Sequence, residues 1–260
     1  KSQLWMIDLD RGTQSRLTFD DKTYSNVAWL PDGRDFLATG GDGGPGTYDI
    51  SLFSVEGRTE PRVLVQGLFP DLSPGGEHLL YSHFTPERAL EISRVDLAEA
   101  KQATAEEPPA VTPVVADPDW QYAPRVSPDG RWVAYVSRET GRDEVYLRRY
   151  PEGDQKRQVS ADGGGWPHWN GRGDRLYYMN GLDMVEVEII GEPSLLVGSP
   201  RVLFTRPRGA DTFSVGWPLY FQVTGDGEHF FMLYETDEAD GNRPLTFVQN
   251  WAAEFAEEGR

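Results

Sequence analysis

The 260-residue sequence contains no cysteine. Disulfide bonds, thiolate metal sites and a cysteine nucleophile are therefore excluded. The sequence also lacks a Gly-x-Ser-x-Gly segment, the turn that presents the nucleophile of an α/β-hydrolase. Only 33 residues follow Gly227, which is far too few for a hydrolase domain. No nucleophile and base constellation remains, so we expect a protein that is not an enzyme and that needs no cofactor.

Basic residues and long apolar runs are scarce. Lys and Arg number 25 against 42 Asp and Glu, which gives a formal net charge of −17. This charge repels a phosphate backbone, so nucleic acid is excluded as a partner. No apolar run reaches the length of a membrane-spanning helix, and we expect no direct membrane insertion of this segment. The acidity itself predicts a solvated surface that resists aggregation.

Proline and glycine mark a repeated corner. Its clearest copy lies in Arg125 to Ser137, where Ser127, Pro128, Asp129 and Gly130 separate two apolar runs. Pro128 presets φ for the second position of a type I turn, and Gly130 takes the left-handed conformation that closes a β-hairpin. Related corners end at four other glycines, Gly33, Gly76, Gly173 and Gly227.

The spacing of these glycines predicts the architecture. Successive turn glycines are separated by 43, 54, 43 and 54 residues. A period of 43 matches one four-stranded propeller blade, for which about 40 to 45 residues is usual. The extra residues are predicted to form a solvated loop over Ala98 to Pro113 and an insertion over Arg206 to Pro218.

One period divides into four predicted strands, Ala123 to Ser127, Trp132 to Ser137, Glu144 to Tyr150 and Lys156 to Ser160. The central strands are apolar on both faces, as expected when each sheet lies between two others. We therefore predict an all-β fold, a β-propeller of four-stranded antiparallel blades. It is expected to form a single domain over residues 1–260.

Three segments carry a resemblance to a known family. They are the Ser-Pro-Asp-Gly-Arg corner at 127–131, Leu-Trp-Met-Ile-Asp-Leu-Asp-Arg-Gly at 4–12 and Arg-Leu-Thr-Phe at 16–19. They resemble TolB-like propeller repeats, which are also described as WD40-like. Residues 122–187 and the ending at 243–251 are similar to the C-terminal propellers of membrane-anchored bacterial serine/threonine protein kinases. The resemblance implies an extracytoplasmic sensing or protein-binding module, with a kinase and a transmembrane segment upstream in the parent protein.

The two ends of the sequence determine the predicted number of blades. Leu4 to Leu9 is interpreted as the third strand of a blade and Ser15 to Phe19 as its outer strand. The two inner strands of that blade are not in this sequence, so the chain is expected to be a portion of a longer protein. The C-terminal part supplies strands at Leu219 to Thr224, Phe230 to Tyr234 and Leu245 to Asn250. Six blades are favoured over five. Asn250 is expected to cap a short C-terminal helix.

Other candidate sites have simpler explanations. His78 and His83 lie five residues apart on one predicted strand and hence on opposite faces, so no metal site is predicted there. The acidic residues at 235–241 miss the alternating spacing of a calcium loop and are interpreted as a solvated loop. The Arg-Gly-Asp tripeptide at 172–174 contains a glycine that the turn already requires.

The loops that lead into the first strand of each blade open on one side of a propeller. These loops bring six aromatic residues toward one mouth: Tyr24, Phe69, Trp120, Tyr122, Trp166 and Trp217. Aromatic side chains with a few polar neighbours are typical of a binding site. The predicted ligand-binding residues are Tyr24, Asn26, Asp71, Tyr122, Arg125, Trp166, His168 and Trp217. The alternative is that these aromatics fill the wedges between blades.

The polar candidates leave two interpretations open. Arg125 can grip an anionic group, such as a peptide C-terminus, with two parallel hydrogen bonds, and His168 is a weaker donor. Alternatively, Arg125 is neutralised by a carboxylate such as Asp71 and ties blades together. The favoured function is a recognition or sensor propeller that binds a protein, peptide or small ligand. The alternatives are the gating propeller of a prolyl-oligopeptidase-like hydrolase and a carbohydrate-binding propeller.

Overall fold

The computed structural model describes residues 2–8, 11–44, 46–56, 60–87, 89–191, 195–206 and 221–232. The chain divides into two compact units, Lys1–Pro124 and Arg125–Arg260. The expectation of a single domain over residues 1–260 stays a prediction. Each unit is built from antiparallel sheets whose strands follow one another in the sequence.

The first unit contains a hairpin and two four-stranded sheets. The hairpin consists of β1 (Trp5–Asp8) and β2 (Thr13–Arg16). The first sheet consists of β3 (Thr23–Trp29), β4 (Asp35–Gly41), β5 (Tyr48–Ser54) and β6 (Arg62–Gln66). The second consists of β7 (Leu68–Leu72), β8 (His78–Phe84), β9 (Leu90–Asp96) and β10 (Thr112–Val115), with helix α1 (Leu97–Ala100) between the last two strands.

The remaining sheets continue the same order. The third four-stranded sheet consists of β11 (Gln121–Val126), β12 (Trp132–Ser137), β13 (Glu144–Arg149) and β14 (Arg157–Gln158). The next sheet consists of β15 (Gly165–Trp169), β16 (Arg175–Asn180), β17 (Asp183–Ile190), β18 (Leu196–Val197) and β19 (Arg201–Thr205). Both β18 and β19 pair with β17. The last described element is a hairpin of β20 (Phe221–Val223) and β21 (Phe230–Met232).

Burial on both faces explains why the central strands read as continuous apolar runs. All six residues of β12 are buried. On one face, Trp132, Ala134 and Leu147 pack against Leu176 and Tyr178 of the following sheet. Neighbouring sheets of a unit thus share one apolar layer, as in face-to-face sheet packing. The first unit has an equivalent layer that includes Leu37, Ile50, Leu79 and Val95.

The corner at 127–130 has the predicted hydrogen bonds. Gly130 N donates to Ser127 O at 2.8 Å, and Trp132 N donates to Ser127 Oγ at 3.0 Å. Asp129 Oδ1 accepts from Ser127 Oγ at 2.6 Å and from Arg131 N at 3.1 Å. Partial burial would raise the pKa of Asp129, but these hydrogen bonds lower it below its ordinary value.

All five turn glycines have a positive φ, which confirms the repeat that the spacing predicted. The φ values are 66° at Gly33, 76° at Gly76, 72° at Gly130, 74° at Gly173 and 78° at Gly227. Residues with a Cβ adopt this conformation at a cost, which is why glycine recurs there. Within the described residues, four sheets contain at least four strands, and the total number of blades stays a prediction.

The prediction of a solvated loop over Ala98 to Pro113 is wrong at both ends of that segment. Its first residues belong to α1, where Asp96 accepts from Glu99 N at 2.8 Å and caps the helix. Burial of Leu97 and Ala100 holds this short helix in place. The last residues belong to β10, whose pairing with β9 completes the second sheet. The segments predicted from Leu245 onward and most of Arg206 to Pro218 lie outside the described residues.

Candidate functional site

The first strands of the four large sheets, β3, β7, β11 and β15, share an irregular backbone position. One non-glycine residue in each strand has a positive φ: Asn26 (50°), Phe69 (55°), Ala123 (54°) and Trp166 (59°). Each of these residues lies seven positions before the turn glycine of its sheet. A left-handed conformation costs a non-glycine residue about 1 to 2 kcal/mol. The conformation therefore belongs to the repeat and is imposed by the sheet.

The left-handed residue coincides with a β-bulge. The register of pairing shifts between Ser25 and Val27, and again between Leu68 and Asp71. In β15 it shifts between Gly165 and His168. A bulge bends the strand and re-aims the side chains that follow it, and bulges are frequent at binding sites.

Three residues with ionisable side chains occupy equivalent positions in these irregular first strands. Asp71, Arg125 and His168 each lie two residues after the left-handed position and five residues before a turn glycine. A proline separates each of them from its left-handed residue, and proline disfavours the right-handed helical region for the residue before it. The corresponding position in β3 is Ala28.

His168 is a buried histidine with a defined tautomer. Its side chain is 5% exposed, and its Nδ1 lies 3.1 Å from the carbonyl oxygen of Trp166. A carbonyl can only accept, so Nδ1 carries the proton and Nε2 presents a lone pair. Nε2 is buried and has no hydrogen-bond partner among the described residues. The ring packs on Phe221, with ring centroids 4.5 Å apart.

Electrostatics keep this imidazole neutral. Burial, and to a lesser extent the positive charge of Arg125, lower the pKa of His168 from 6.5 to about 3, against a smaller opposing effect of the hydrogen bond to Trp166. A second contact fixes Arg125 beside this strand, because Trp169 Nε1 donates to the Arg125 carbonyl oxygen at 3.0 Å. We name the group Arg125, Trp166, His168, Trp169 and Phe221 the His168 site. All five residues belong to the second unit.

A buried carboxylate holds the loop that leads into the His168 site. Glu144 is fully buried, and its Oε1 accepts from Arg142 Nε at 2.6 Å and from Gly163 N at 3.0 Å. Its Oε2 accepts from Ser160 Oγ, and Ser160 Oγ in turn accepts from Val145 N at 2.8 Å. Because the charge is paired and fully hydrogen-bonded, burial is tolerated. This network anchors residues 160–164 immediately before β15.

The aromatic candidates of the first unit are packed in its interior. Tyr24 is 6% exposed and meets Phe53 edge to face, with ring centroids 5.5 Å apart. Its hydroxyl donates to Asp20 at 2.7 Å. Phe69 and Tyr122 are both buried, with ring centroids 5.8 Å apart. These contacts are those of packing residues, and a ligand-binding role for Tyr24 and Tyr122 stays a prediction.

The other predicted site residues are spread over both units. Asn26 in β3 is buried, and its Nδ2 donates to Ser25 Oγ at 2.9 Å. Asp71 in β7 is half-buried. Trp166 is half-buried and packs against the cluster that contains Phe221 and Phe230, whereas Trp217 lies outside the described residues. Of the eight predicted residues, the structure brings together Arg125, Trp166 and His168.

Sequence reasoning missed Trp169, Phe221 and Glu144. Trp169 alone carried a signal, since it belongs to the same aromatic segment as Trp166. Phe221 reaches His168 through packing between residues 53 positions apart, which no local pattern reveals. The two other histidines considered have partners within their own sheet: His83 Nε2 lies 3.0 Å from Ser93 Oγ, and His78 Nε2 lies 3.3 Å from Arg94 Nη1.

Comparison with known proteins shows similarity in structure only. No protein-family model matches the chain. No curated protein matches it in sequence. TolB from Acinetobacter baumannii superposes with a TM-score of 0.66 at 15% identity, over 92% of this chain and 55% of TolB. The chain thus spans about half the length of that protein.

Two further solved structures have the same fold. The nidogen/laminin complex contains a chain that matches with a TM-score of 0.61 at 11% identity, over 89% of this chain and 82% of the other. A Mycobacterium tuberculosis puromycin-hydrolyzing peptidase matches with a TM-score of 0.57 at 19% identity, over 88% of this chain and 38% of the peptidase. Together with the four-stranded antiparallel sheets, these similarities confirm the predicted fold class, an all-β propeller built from four-stranded blades.

The fold leaves the function open, because propellers carry many functions. The similar structures include both TolB and a puromycin-hydrolyzing peptidase, and at 15% and 19% identity the similarity shows the fold alone. Among the described residues, none of the helices has the length and apolar character needed to cross a membrane.

Proposed function

We propose that this chain is a non-enzymatic recognition propeller that binds a protein or peptide at the His168 site. The observation that carries the proposal is the His168 Nε2 atom, a buried acceptor without a partner among the described residues, next to a strained left-handed bulge. A buried polar atom without a hydrogen bond costs about 1 to 3 kcal/mol, and backbone strain at a specific site is typical of ligand-binding regions. A bound ligand would supply the missing hydrogen bond.

The flat side chains around His168 support binding of a polypeptide. Trp166 and Trp169 are half-buried, so part of each residue remains exposed in the strand that contains the histidine. Trp side chains provide a large contact area at low conformational cost and are frequent at the centres of protein interfaces. The resemblance to TolB-like propellers supports the same conclusion and extends it: the chain would act as an extracytoplasmic sensor module of a longer bacterial protein, with a kinase upstream.

The experiment is a selection for binding peptides. The purified 260-residue chain would be panned against a random linear peptide library, and isolated binders would be titrated by calorimetry. We expect micromolar binders that lose at least about tenfold in affinity with Trp166→Asn, since asparagine tolerates the left-handed conformation and keeps the fold. Trp29→Ala is the matched control, because Trp29 is an exposed tryptophan of the first unit.

Two results would overturn the proposal. One is a library that yields no binder. The other is a set of binders that respond to Trp29→Ala and not to Trp166→Asn. A gating propeller of a hydrolase stays the alternative, and the sequence flanking this chain in its gene decides between them, since a hydrolase domain downstream would support gating and a kinase upstream would support sensing.

A further inference from the structure

We infer that Asn180 is a site of spontaneous chemical modification, at which the side-chain amide is converted to a carboxylate and part of the product is isoaspartate. The chain contains two Asn-Gly sequences, Asn180-Gly181 and Asn170-Gly171. The structure leaves the first of them open to reaction and protects the second. This reactivity is independent of the proposed function.

The reaction needs only the two residues and water. The backbone nitrogen of the glycine attacks the asparagine Cγ, so a new N–Cγ bond forms, the Cγ–Nδ2 bond breaks, and ammonia leaves with the proton of the glycine N–H. Water then opens the cyclic imide at either of its carbonyl carbons, which gives aspartate or isoaspartate. Glycine favours the attack because it has no side chain to hinder the nitrogen or to restrict the backbone.

Asn180 and Gly181 lie where this reaction is possible. They occupy the corner between β16 and β17, where Asn180 pairs with Asp183. Gly181 has a φ of 58° and begins the turn, and a Cβ added to it would meet nothing within 4 Å. Gly181 is exposed, and neither its N–H nor the half-buried amide of Asn180 has a hydrogen-bond partner among the described residues. The nitrogen and the Cγ can therefore approach each other without breaking a hydrogen bond.

The second Asn-Gly sequence is held in an unreactive arrangement. Asn170 is 5% exposed, its Oδ1 accepts from Gly173 N at 2.9 Å, and its Nδ2 donates to Asp174 Oδ1 at 2.7 Å. The attacking nitrogen is engaged as well, because Gly171 N donates to the Gly225 carbonyl oxygen at 2.7 Å. Cyclisation at Asn170 would disrupt all three hydrogen bonds, so its barrier is higher than that at the exposed corner.

Modification at residue 180 would change the loop that precedes β15. Asn180 Oδ1 lies 3.1 Å from the position of a Cβ added to Gly163, so a carboxylate at residue 180 would lie beside this glycine. Gly163 N donates to the buried Glu144 carboxylate at 3.0 Å. A second negative charge there opposes the first, and isoaspartate also adds a carbon to the backbone at the end of β16. The modification therefore weakens the anchoring of residues 160–164.

Peptide mapping by mass spectrometry measures the two sites in one sample. The full chain would be kept folded in mildly alkaline buffer and sampled over several weeks, and the segments that contain Asn170 and Asn180 would be analysed for the carboxylate and for isoaspartate. We expect Asn180 to convert at least about tenfold faster than Asn170. The same chain in guanidinium chloride is the matched control, since unfolding removes the protection and both sites should then convert at similar rates.

Asn180→Gln provides a second measurement. Glutamine keeps the amide but would have to close a larger ring, so this segment should keep its mass. Aged wild-type chain should unfold at a lower denaturant concentration than fresh chain, whereas aged and fresh Asn180→Gln should have equal midpoints. Conversion of Asn170 as fast as that of Asn180 in the folded chain would overturn the inference, as would an unchanged Asn180 after a period in which the unfolded control converts. A converted chain with the midpoint of the fresh protein would contradict the weakened anchoring of the loop.

Discussion

The turn glycines of the first unit allow conformational strain to be separated from steric contact. Gly33 and Gly76 occupy the same position of consecutive sheets, with φ values of 66° and 76°. A Cβ added at Gly33 would meet nothing within 4 Å, whereas a Cβ added at Gly76 would lie 2.9 Å from both Cδ and Cγ of Pro31. Gly33→Ala therefore tests the backbone alone, and Gly76→Ala tests the backbone and the contact between two corners.

The expected magnitudes follow from these distances. A left-handed alanine costs about 1 to 2 kcal/mol, and the reduced entropy of the unfolded chain offsets roughly 0.4 to 1 kcal/mol of this. Gly33→Ala should thus lower the free energy of unfolding by about 1 kcal/mol. Gly76→Ala adds an overpacking cost of roughly 1 to 3 kcal/mol, because the ring of Pro31 is rigid and cannot move away cheaply.

Chemical denaturation of both variants, followed by tryptophan fluorescence, measures the difference. Gly76→Ala should unfold at a clearly lower denaturant concentration than Gly33→Ala, with an unchanged dependence on denaturant. Equal midpoints for the two variants would refute the stacking of Gly76 on Pro31. A wild-type midpoint for Gly33→Ala would refute the argument that this position requires glycine.

Three further predictions concern the second unit. Glu144→Gln should lower the free energy of unfolding by about 2 kcal/mol, because glutamine is uncharged and replaces one acceptor oxygen of the buried network with an NH2 donor. Asp143→Asn, at a half-exposed ion pair, should cost less than about 1 kcal/mol in the same denaturation assay. His168 is neutral when folded, and its pKa rises from about 3 to 6.5 on unfolding, so its contribution to stability is lost as pH falls below 6.5 toward 3. NMR at about pH 5 should show a neutral His168 ring, and a protonated ring would contradict its burial. Trp169→Phe removes the hydrogen bond to the Arg125 carbonyl oxygen, so it should lower the free energy of unfolding by about 1 kcal/mol and weaken peptide binding measured by calorimetry. A variant with the stability and affinity of the wild type would show that this hydrogen bond does not position the site.

The repeat was predictable because local chemistry specifies it. Strand β12 spans Trp132–Ser137 as predicted, since an apolar run between a Pro-Asp-Gly corner and a turn has few alternatives. The outer strand is less regular: Lys156 to Ser160 was predicted, and β14 covers Arg157–Gln158. Edge strands carry weaker apolar patterns, so their ends are poorly specified by sequence.

The candidate site was predictable only in part. The shared position of Arg125 and His168 follows from their distance to a turn glycine, and it was visible in the sequence. The left-handed bulge was not, because residues as different as Phe69, Ala123 and Trp166 occupy it and none is the glycine that usually marks this conformation. The tautomer of His168 depends on its hydrogen bond to the Trp166 carbonyl oxygen, and no local sequence pattern reveals this contact.

Hydrogen exchange with a selected peptide bound tests the recognition function most directly. The account predicts slower exchange of backbone amides in β15 (Gly165–Trp169) and around Arg125, with little change in the edge strands β14 and β18. Protection confined to those edge strands, or to the Pro-Asp-Gly corners, would place the ligand elsewhere and contradict binding at the His168 site.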